Sequence, residues 1–227
     1  CPSCGSSDAN SVYDDGTTYC FSCRAYGKVD GETRVTSYTK KYNPMIPELD
    51  YRELSSRKIS KEIARKFSYG FTVDANGNSC QGATYYNNDG VAVAMKLRYP
   101  KDSDGKKSFK FIGDPKSVNL FGKQLWSSSG KYITITEGEI DALSVAQAFD
   151  GKYPVVSIPN GAQAAKKSIA KELEWLNSFD KVYLWFDNDE QGRKALEECI
   201  PLFPAGKVKV IQHPTYKDAS DVLVEGG

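Results

Sequence analysis

The chain has 227 residues, 26% charged and 40% hydrophobic, which is enough for a small module joined to a larger globular domain. Its 30 basic and 29 acidic residues give a net charge of +1, so any surface that binds nucleic acid must be local. His213 is the single histidine, which excludes Ser-His-Asp and Cys-His catalytic sites, and no apolar run has the length of a membrane span.

Two cysteine pairs open the chain with the spacing C-x2-C-x15-C-x2-C. This spacing predicts a closed tetrahedral zinc site, and residues 12–19 between the pairs predict a hairpin with an Asp15-Gly16 turn. Residues 1–27 are therefore predicted to form a zinc-binding ribbon. Two disulfides are the alternative, but they fit an intracellular enzyme poorly. The expected zinc ligands are Cys1, Cys4, Cys20 and Cys23.

The predicted hairpin carries aromatic residues next to short polar ones. Aromatic rings stack on unpaired bases and polar side chains hydrogen-bond to them, so the pattern predicts a surface that reads a nucleic-acid template. The alternative is that the rings pack the small core of the ribbon. The predicted template-reading residues are Tyr13, Asp15, Thr17 and Tyr19.

Residues 28–48 are polar and interrupted by glycine and proline, which predicts a flexible linker. Residues 49–128 are predicted to begin the larger domain. A short helix is expected after Ser60, whose side chain suits the N-cap position. Alternation across residues 83–99, with Asn88-Asp89-Gly90 as the turn, predicts a hairpin.

The strongest charge asymmetry of the chain follows this hairpin, and Phe109 and Phe111 are interleaved with its basic residues. A solvated loop is the usual explanation of a charge run. Because this run precedes an acidic segment, we predict instead that it binds nucleotide phosphates and the template backbone. The residues concerned are Lys96, Arg98, Lys101, Lys106, Lys107 and Lys110.

Residues 129–213 alternate strands with helices, which predicts a parallel sheet. The strand at 132–136 leads through Glu137-Gly138 into a helix, and the strand at 182–186 ends at Asp187-Asn188-Asp189. The carboxyl ends of parallel strands form one edge of a sheet, where open α/β sheets bind ligands. We therefore expect an acidic cluster of Glu137, Asp187 and Asp189.

Neighbouring carboxylates repel one another unless a cation neutralises them, and oxygen ligands suit Mg²⁺. The predicted chemistry is phosphoryl or nucleotidyl transfer at a site formed by Glu137, Asp187 and Asp189. Asp218, beyond the last predicted strand, is a further candidate for this site. The alternative is that these acids are solvated residues at helix starts, where the helix dipole favours them.

The combination of strand-Glu-Gly-helix and strand-Asp-x-Asp resembles the TOPRIM domain of primases, topoisomerases and some nucleases. With the segments CPSCGSS, LSSRKISKEIARK, TEGEIDAL, FDNDEQGRKALEE and KDASD, the whole chain resembles the primase half of the T7-like phage primase-helicases. The resemblance implies an α/β fold in which a small β-rich zinc ribbon is tethered to a primase catalytic domain with a TOPRIM parallel-sheet core.

The same resemblance implies a DNA primase that synthesises short RNA primers on single-stranded DNA for lagging-strand replication. Ribonucleoside triphosphates would be its substrates, zinc would be structural, and Mg²⁺ would be catalytic, with Asp218 in support. Residues 214–227 would lead to a hexameric helicase domain fused C-terminally. A replicative DNA polymerase would receive the primer in the cytoplasm of the infected bacterium. Thr17 stands where the T7 enzyme has a histidine, so the preferred template triplet is expected to differ.

Two other classes use similar residues. A TOPRIM nuclease or topoisomerase would cut DNA with the same carboxylates, but a type IA topoisomerase needs a large extra domain, and neither class explains the ribbon. A single-strand-binding module with a degenerate TOPRIM fold is the non-enzymatic alternative. The intact Glu137, Asp187 and Asp189 argue against it.

Overall fold

The structure, a computed structural model, describes residues 10–13, 16–21, 23, 25–28, 46–127 and 129–226. It divides into two units, Cys1–Asn43 and Pro44–Gly227. This boundary falls within the predicted linker, of which residues 29–45 lie outside the described residues. Within the described part of the chain, the helices are too short or too polar to cross a membrane.

The described part of the N-terminal unit contains an antiparallel sheet in the order β1-β2-β3. The strands are β1 (Asn10–Val12), β2 (Thr17–Cys20) and β3 (Tyr26–Lys28). Gly16, with φ +77°, supplies the left-handed residue of the β1–β2 turn, as the Asp-Gly pattern predicts. The predicted hairpin is thus confirmed. Cys1, Cys4 and Asp15 lie outside the described residues.

In the C-terminal unit, a short 3-10 helix (Ser55–Arg57) precedes α1 (Lys61–Lys66), and the backbone N–H of Ile63 donates to the side chain of the α1 N-cap, Ser60. A four-stranded antiparallel sheet follows in the order β4-β5-β6-β7. The predicted hairpin corresponds to β5 and β6, whereas β4 and β7 were not predicted. The strands are β4 (Tyr69–Val73), β5 (Ser79–Tyr86), β6 (Ala92–Arg98) and β7 (Phe109–Gly113).

A parallel four-stranded sheet has the order β11-β10-β8-β9, which confirms the predicted α/β core. Its strands are β8 (Gly130–Thr136), β9 (Val155–Ser157), β10 (Phe179–Trp185) and β11 (Val208–Val210). The helices are α2 (Glu139–Ala148), α3 (Ala165–Lys171), α4 (Leu173–Asn177), α5 (Glu190–Cys199) and α6 (Ala219–Glu225).

Helix α2 connects the two sheets through one hydrophobic core. Its residues from Glu139 to Ala146 are buried, apart from Asp141, and a helix that is buried nearly all round lies between layers. Leu143 and its neighbours pack in one cluster with Tyr85 of β5 and Val155 of β9. Helices α3 and α5 pack with the other face of the parallel sheet. The first turn of α2 is therefore held between the two sheets.

Candidate active site

A cleft of about 440 Å³ lies where the antiparallel sheet meets the carboxyl ends of the parallel strands. Acidic residues line one side, because β8 and β10 both end there in parallel. Basic and aromatic residues line the other side. The lining side chains used below are Arg57, Lys96, Arg98, Lys107, Phe109, Glu137, Asp141, Asp187 and Asp218.

Three carboxylates form what we call the carboxylate cluster, Asp141, Asp187 and Asp218. One oxygen atom of each lies within 4.8 Å of the others. Asp187 follows Phe186 just beyond the end of β10, Asp141 lies in the first turn of α2, and Asp218 is the N-cap of α6. The backbone N–H of Ser220 donates to Asp141 over 3.1 Å, which joins the starts of α2 and α6.

Burial and mutual repulsion both act on this cluster. Burial raises the pKa of Asp141 well above its ordinary value, and the charges of Asp218 and Asp187 raise it further. Burial also raises the pKa of Asp187, although Lys217 opposes the change. Three carboxylates whose oxygen atoms lie this close repel one another, and a hard divalent cation relieves this repulsion, so these residues fit Mg²⁺.

Glu137 lies at the edge of the carboxylate cluster. It accepts hydrogen bonds from the backbone N–H groups of Asp187, over 3.4 Å, and Ala162, over 3.3 Å. Burial raises its pKa, and the charge of Asp187 contributes to the increase. A carboxylate with a raised pKa beside the carboxylate cluster suits the transfer of a proton.

Asp189 is close to the other acids but has a different environment. It caps α5 by accepting from the backbone N–H of Gly192 over 3.0 Å, a bond that lowers its pKa. It does not line the cleft. Lys217 joins it to the site, since the ammonium lies 2.9 Å from Asp189 and 3.0 Å from Asp187. The structure thus brings the three predicted acids together, with Asp189 outermost.

Gly192 explains how α5 approaches this edge of the sheet so closely. A Cβ at this position would lie 2.0 Å from the carbonyl oxygen of Asp187, and that neighbour is backbone. Only glycine permits this approach without a shift of the chain. The position of Asp187 therefore depends on Gly192.

The predicted basic residues do not all face the cleft, because successive side chains of a strand point to opposite sides of the sheet. Arg98 pairs with Phe109 in the β6–β7 register and faces the cleft, whereas Lys110 pairs with Leu97 and faces the opposite side. Lys107 lines the cleft, and Lys101 lines an adjoining cleft of about 370 Å³. Among the described residues, Lys106 and Lys110 line neither cleft.

Lys96 lines the cleft but its ammonium group is already paired. It lies 2.8 Å from the Glu139 carboxylate and donates to the carbonyl oxygen of Pro159 over 2.8 Å. Tyr85 donates to the same carboxylate of Glu139. The side chains of Lys96 and Glu139 are only 13% and 10% exposed. The structure therefore places Lys96 in a buried ion pair with Glu139.

Three further cations line the cleft, and we call Arg57, Arg98 and Lys107 the basic wall. Arg57 was missed by the sequence analysis, because nothing local to its short 3-10 helix indicates that it meets Ser220, to which it donates over 3.0 Å. Partial burial lowers the pKa of Lys107, and the charges of Arg98 and Arg57 lower it further. An anion would relieve this repulsion, so the basic wall fits phosphate groups.

Two family models match the chain, one described as Toprim-like over residues 134–223 and one as the N-terminal α+β fold of the bacteriophage T7 DNA helicase/primase over residues 50–113. The crystal structure of the primase fragment of the bacteriophage T7 primase-helicase is 40% identical, with a TM-score of 0.72, and the match covers 100% of this chain and 93% of that one. The chain belongs to the T7-type phage primase family.

Two other relatives agree with membership of this primase family. The DNA helicase/primase of Enterobacteria phage T3 is 41% identical over 238 residues, and this chain spans 41% of its length. Primase domains of bacteriophage T7, bound to an RNA/DNA hybrid and dTTP with the lagging-strand DNA polymerase, are 44% identical with a TM-score of 0.70. That match covers 79% of this chain and 88% of the other.

Three of the four predicted template-reading residues, Tyr13, Thr17 and Tyr19, lie in the described part of the N-terminal unit. Tyr13 is 47% exposed, and Thr17 and Tyr19 are half-buried on or beside the hairpin. The ring of Tyr19 packs edge-on against that of Phe21, with centroids 4.9 Å apart, so this aromatic residue contributes to local packing. Cys20 is buried at the end of β2, and Cys23 is exposed.

Proposed function

We propose that this chain is a DNA primase that polymerises ribonucleoside triphosphates into short RNA primers on a single-stranded DNA template. The observation that carries the proposal is the cleft in which the carboxylate cluster faces the basic wall. One side suits divalent cations and the other suits phosphates, which is the combination that nucleotidyl transfer requires. Membership of the T7-type primase family supports the same activity.

Asp141, Asp187 and Asp218 would hold Mg²⁺, and Glu137 and Asp189 are further candidate ligands. When bound, Mg²⁺ would offset charge on the triphosphate and on the departing pyrophosphate. Arg57, Arg98 and Lys107 of the basic wall would orient the triphosphate opposite the acids. We assign to Glu137 the acceptance of the proton from the attacking 3′-hydroxyl, since its raised pKa suits proton transfer and it adjoins Asp187.

We propose that the N-terminal unit is a zinc ribbon that reads the template with Tyr13, Asp15, Thr17 and Tyr19. The cysteine spacing and the antiparallel sheet support zinc at Cys1, Cys4, Cys20 and Cys23. Thr17 instead of histidine supports a distinct template preference. By its family, the chain would be joined to a hexameric helicase domain, pass its primer to a replicative DNA polymerase, and act in the cytoplasm of an infected bacterium.

The activity is tested with Glu137→Gln, which keeps the shape of the side chain and removes its charge. With Mg²⁺, labelled ribonucleotides and a library of short single-stranded DNA templates, the wild type should make template-dependent oligoribonucleotides. Glu137→Gln should make none above background while binding templates almost normally. Asp180→Asn, an exposed acid-to-amide control, should stay active. Template cleavage without RNA synthesis would instead assign the site to a nuclease.

The zinc proposal is tested by elemental analysis of purified protein. One zinc per chain is expected in the wild type, and Cys23→Ser should lose it because an incomplete ligand set binds weakly. Cys80→Ser is the matched control, since Cys80 packs with Met95 and Leu97 and is expected to take no part in zinc binding. A Cys23→Ser variant that retains its zinc would refute this ligand assignment.

A further inference from the structure

Lys217 forms ion pairs with two carboxylates at the acidic edge of the cleft. Its ammonium lies 3.0 Å from Oδ2 of Asp187 and 2.9 Å from Oδ2 of Asp189. Its side chain is 52% exposed, whereas that of Asp187 is 19% exposed. The lysine therefore reaches from solvent onto a largely covered carboxylate, and its far end is free to move without disturbing the core.

The backbone of Lys217 is fixed close to the acids. Its carbonyl oxygen accepts from the backbone N–H of Asn188 over 2.7 Å, and Asn188 lies between Asp187 and Asp189 in the sequence. The next residue, Asp218, caps α6 and belongs to the carboxylate cluster. The backbone of Lys217 is thus held beside the carboxylate cluster.

Asp187 takes part in both the carboxylate cluster and the ion pair with Lys217. It belongs to the carboxylate cluster that fits a divalent cation, and it also forms the ion pair with Lys217. An ammonium and a divalent cation on the same carboxylate repel each other and compete for the same lone pairs. A metal ion that binds Oδ2 of Asp187 would therefore displace Lys217 from that oxygen.

A bound nucleotide would offer a withdrawn Lys217 an anionic partner. Its positive charge is among those that lower the pKa of Lys107, so it lies within electrostatic range of the basic wall. Triphosphate oxygens held by the basic wall would give the displaced ammonium a charge-assisted hydrogen bond in place of the one to Asp187.

We propose that Lys217 is a resident counter-ion of the candidate metal site, which pairs with Asp187 and Asp189 in the metal-free protein and transfers to the nucleotide triphosphate when a divalent cation binds. The inference rests on the proposed nucleotidyl-transfer function. It makes metal and nucleotide binding mutually supportive: the lysine opposes the metal ion alone and favours it once a triphosphate is bound.

The test is a titration with Mn²⁺, in which free metal is followed by electron paramagnetic resonance, with and without a non-hydrolysable ribonucleoside triphosphate analogue. Lys217→Met should bind Mn²⁺ alone about fivefold more tightly than the wild type. The analogue should raise Mn²⁺ affinity in the wild type about fivefold more than in Lys217→Met. Lys217→Arg keeps the charge and should behave like the wild type.

Lys194→Met is the matched control, because Lys194 is an exposed lysine of the neighbouring helix α5 and forms none of the ion pairs found among the described residues. It should leave both affinities close to wild type. Unchanged Mn²⁺ binding in Lys217→Met, or an equal analogue effect in both proteins, overturns the inference. These readouts need no RNA synthesis. If the titrations differ as expected but no primer is made, the proposed function fails and the metal–lysine exchange stands.

Discussion

Replacement of Lys96 by methionine tests whether this lysine is structural. Lys96→Met keeps most of the side-chain volume but removes the ammonium that pairs with Glu139 over 2.8 Å. The Glu139 carboxylate would then be left nearly buried, with the hydrogen bond from Tyr85 as a remaining partner. Loss of one member of a buried ion pair costs about 3–5 kcal/mol of unfolding free energy, because the other charge remains uncompensated.

The Tyr85 hydrogen bond places the expected loss at the lower end of that range, about 3 kcal/mol. With a urea dependence of about 2 kcal/mol per molar, the unfolding midpoint should fall by about 1.5 M. Tryptophan fluorescence reports this directly, since the three tryptophans of the chain, at positions 126, 175 and 185, lie in the unit Pro44–Gly227.

The double variant Lys96→Met, Glu139→Gln separates charge from packing. It should recover most of the lost stability, because no unpaired charge is then buried. A midpoint shift below about 0.5 M in Lys96→Met would refute the structural reasoning. If that small shift came with weakened binding of a triphosphate analogue, Lys96 would belong with the phosphate-binding residues, as the sequence pattern suggests.

Two further predictions concern the acidic edge. Gly192→Ala should reduce primer synthesis and Mn²⁺ binding together, since its Cβ would lie 2.0 Å from the Asp187 carbonyl oxygen, whereas the exposed Gln191→Ala should change neither. Burial raises the pKa of Asp141 in the folded protein, so its contribution to stability is present below its ordinary pKa of about 4 and is lost as pH rises through the raised value. In EDTA, the urea midpoint should therefore fall less steeply with rising pH in Asp141→Asn than in the wild type. Adding Mg²⁺ should reduce the fall of the wild-type midpoint. Parallel plots of midpoint against pH for the two proteins would contradict this.

Much of the fold was predictable because local patterns determine it. Helix α5 (Glu190–Cys199) follows from local signals, since Asp189 caps its start and Pro201 comes directly after its end region. Glu137 and Asp187 were expected to meet because parallel strands place their carboxyl ends at one edge, and the structure confirms this. Strand β4 was missed, since its short run Tyr69–Val73 follows a helix without a clear break.

The sequence by itself determined most of the strands and helices and the acidic edge, since propensity, capping and strand periodicity act over a few residues. Only the tertiary structure decided which side chains form the site. Asp141 is an ordinary helix-start residue until Asp218 approaches it from 77 positions along the chain. Likewise, Lys96 and Lys110 belong to one charge run, but the strand register turns one into the cleft and the other away. Such contacts depend on the packing of distant elements, and no local pattern encodes them.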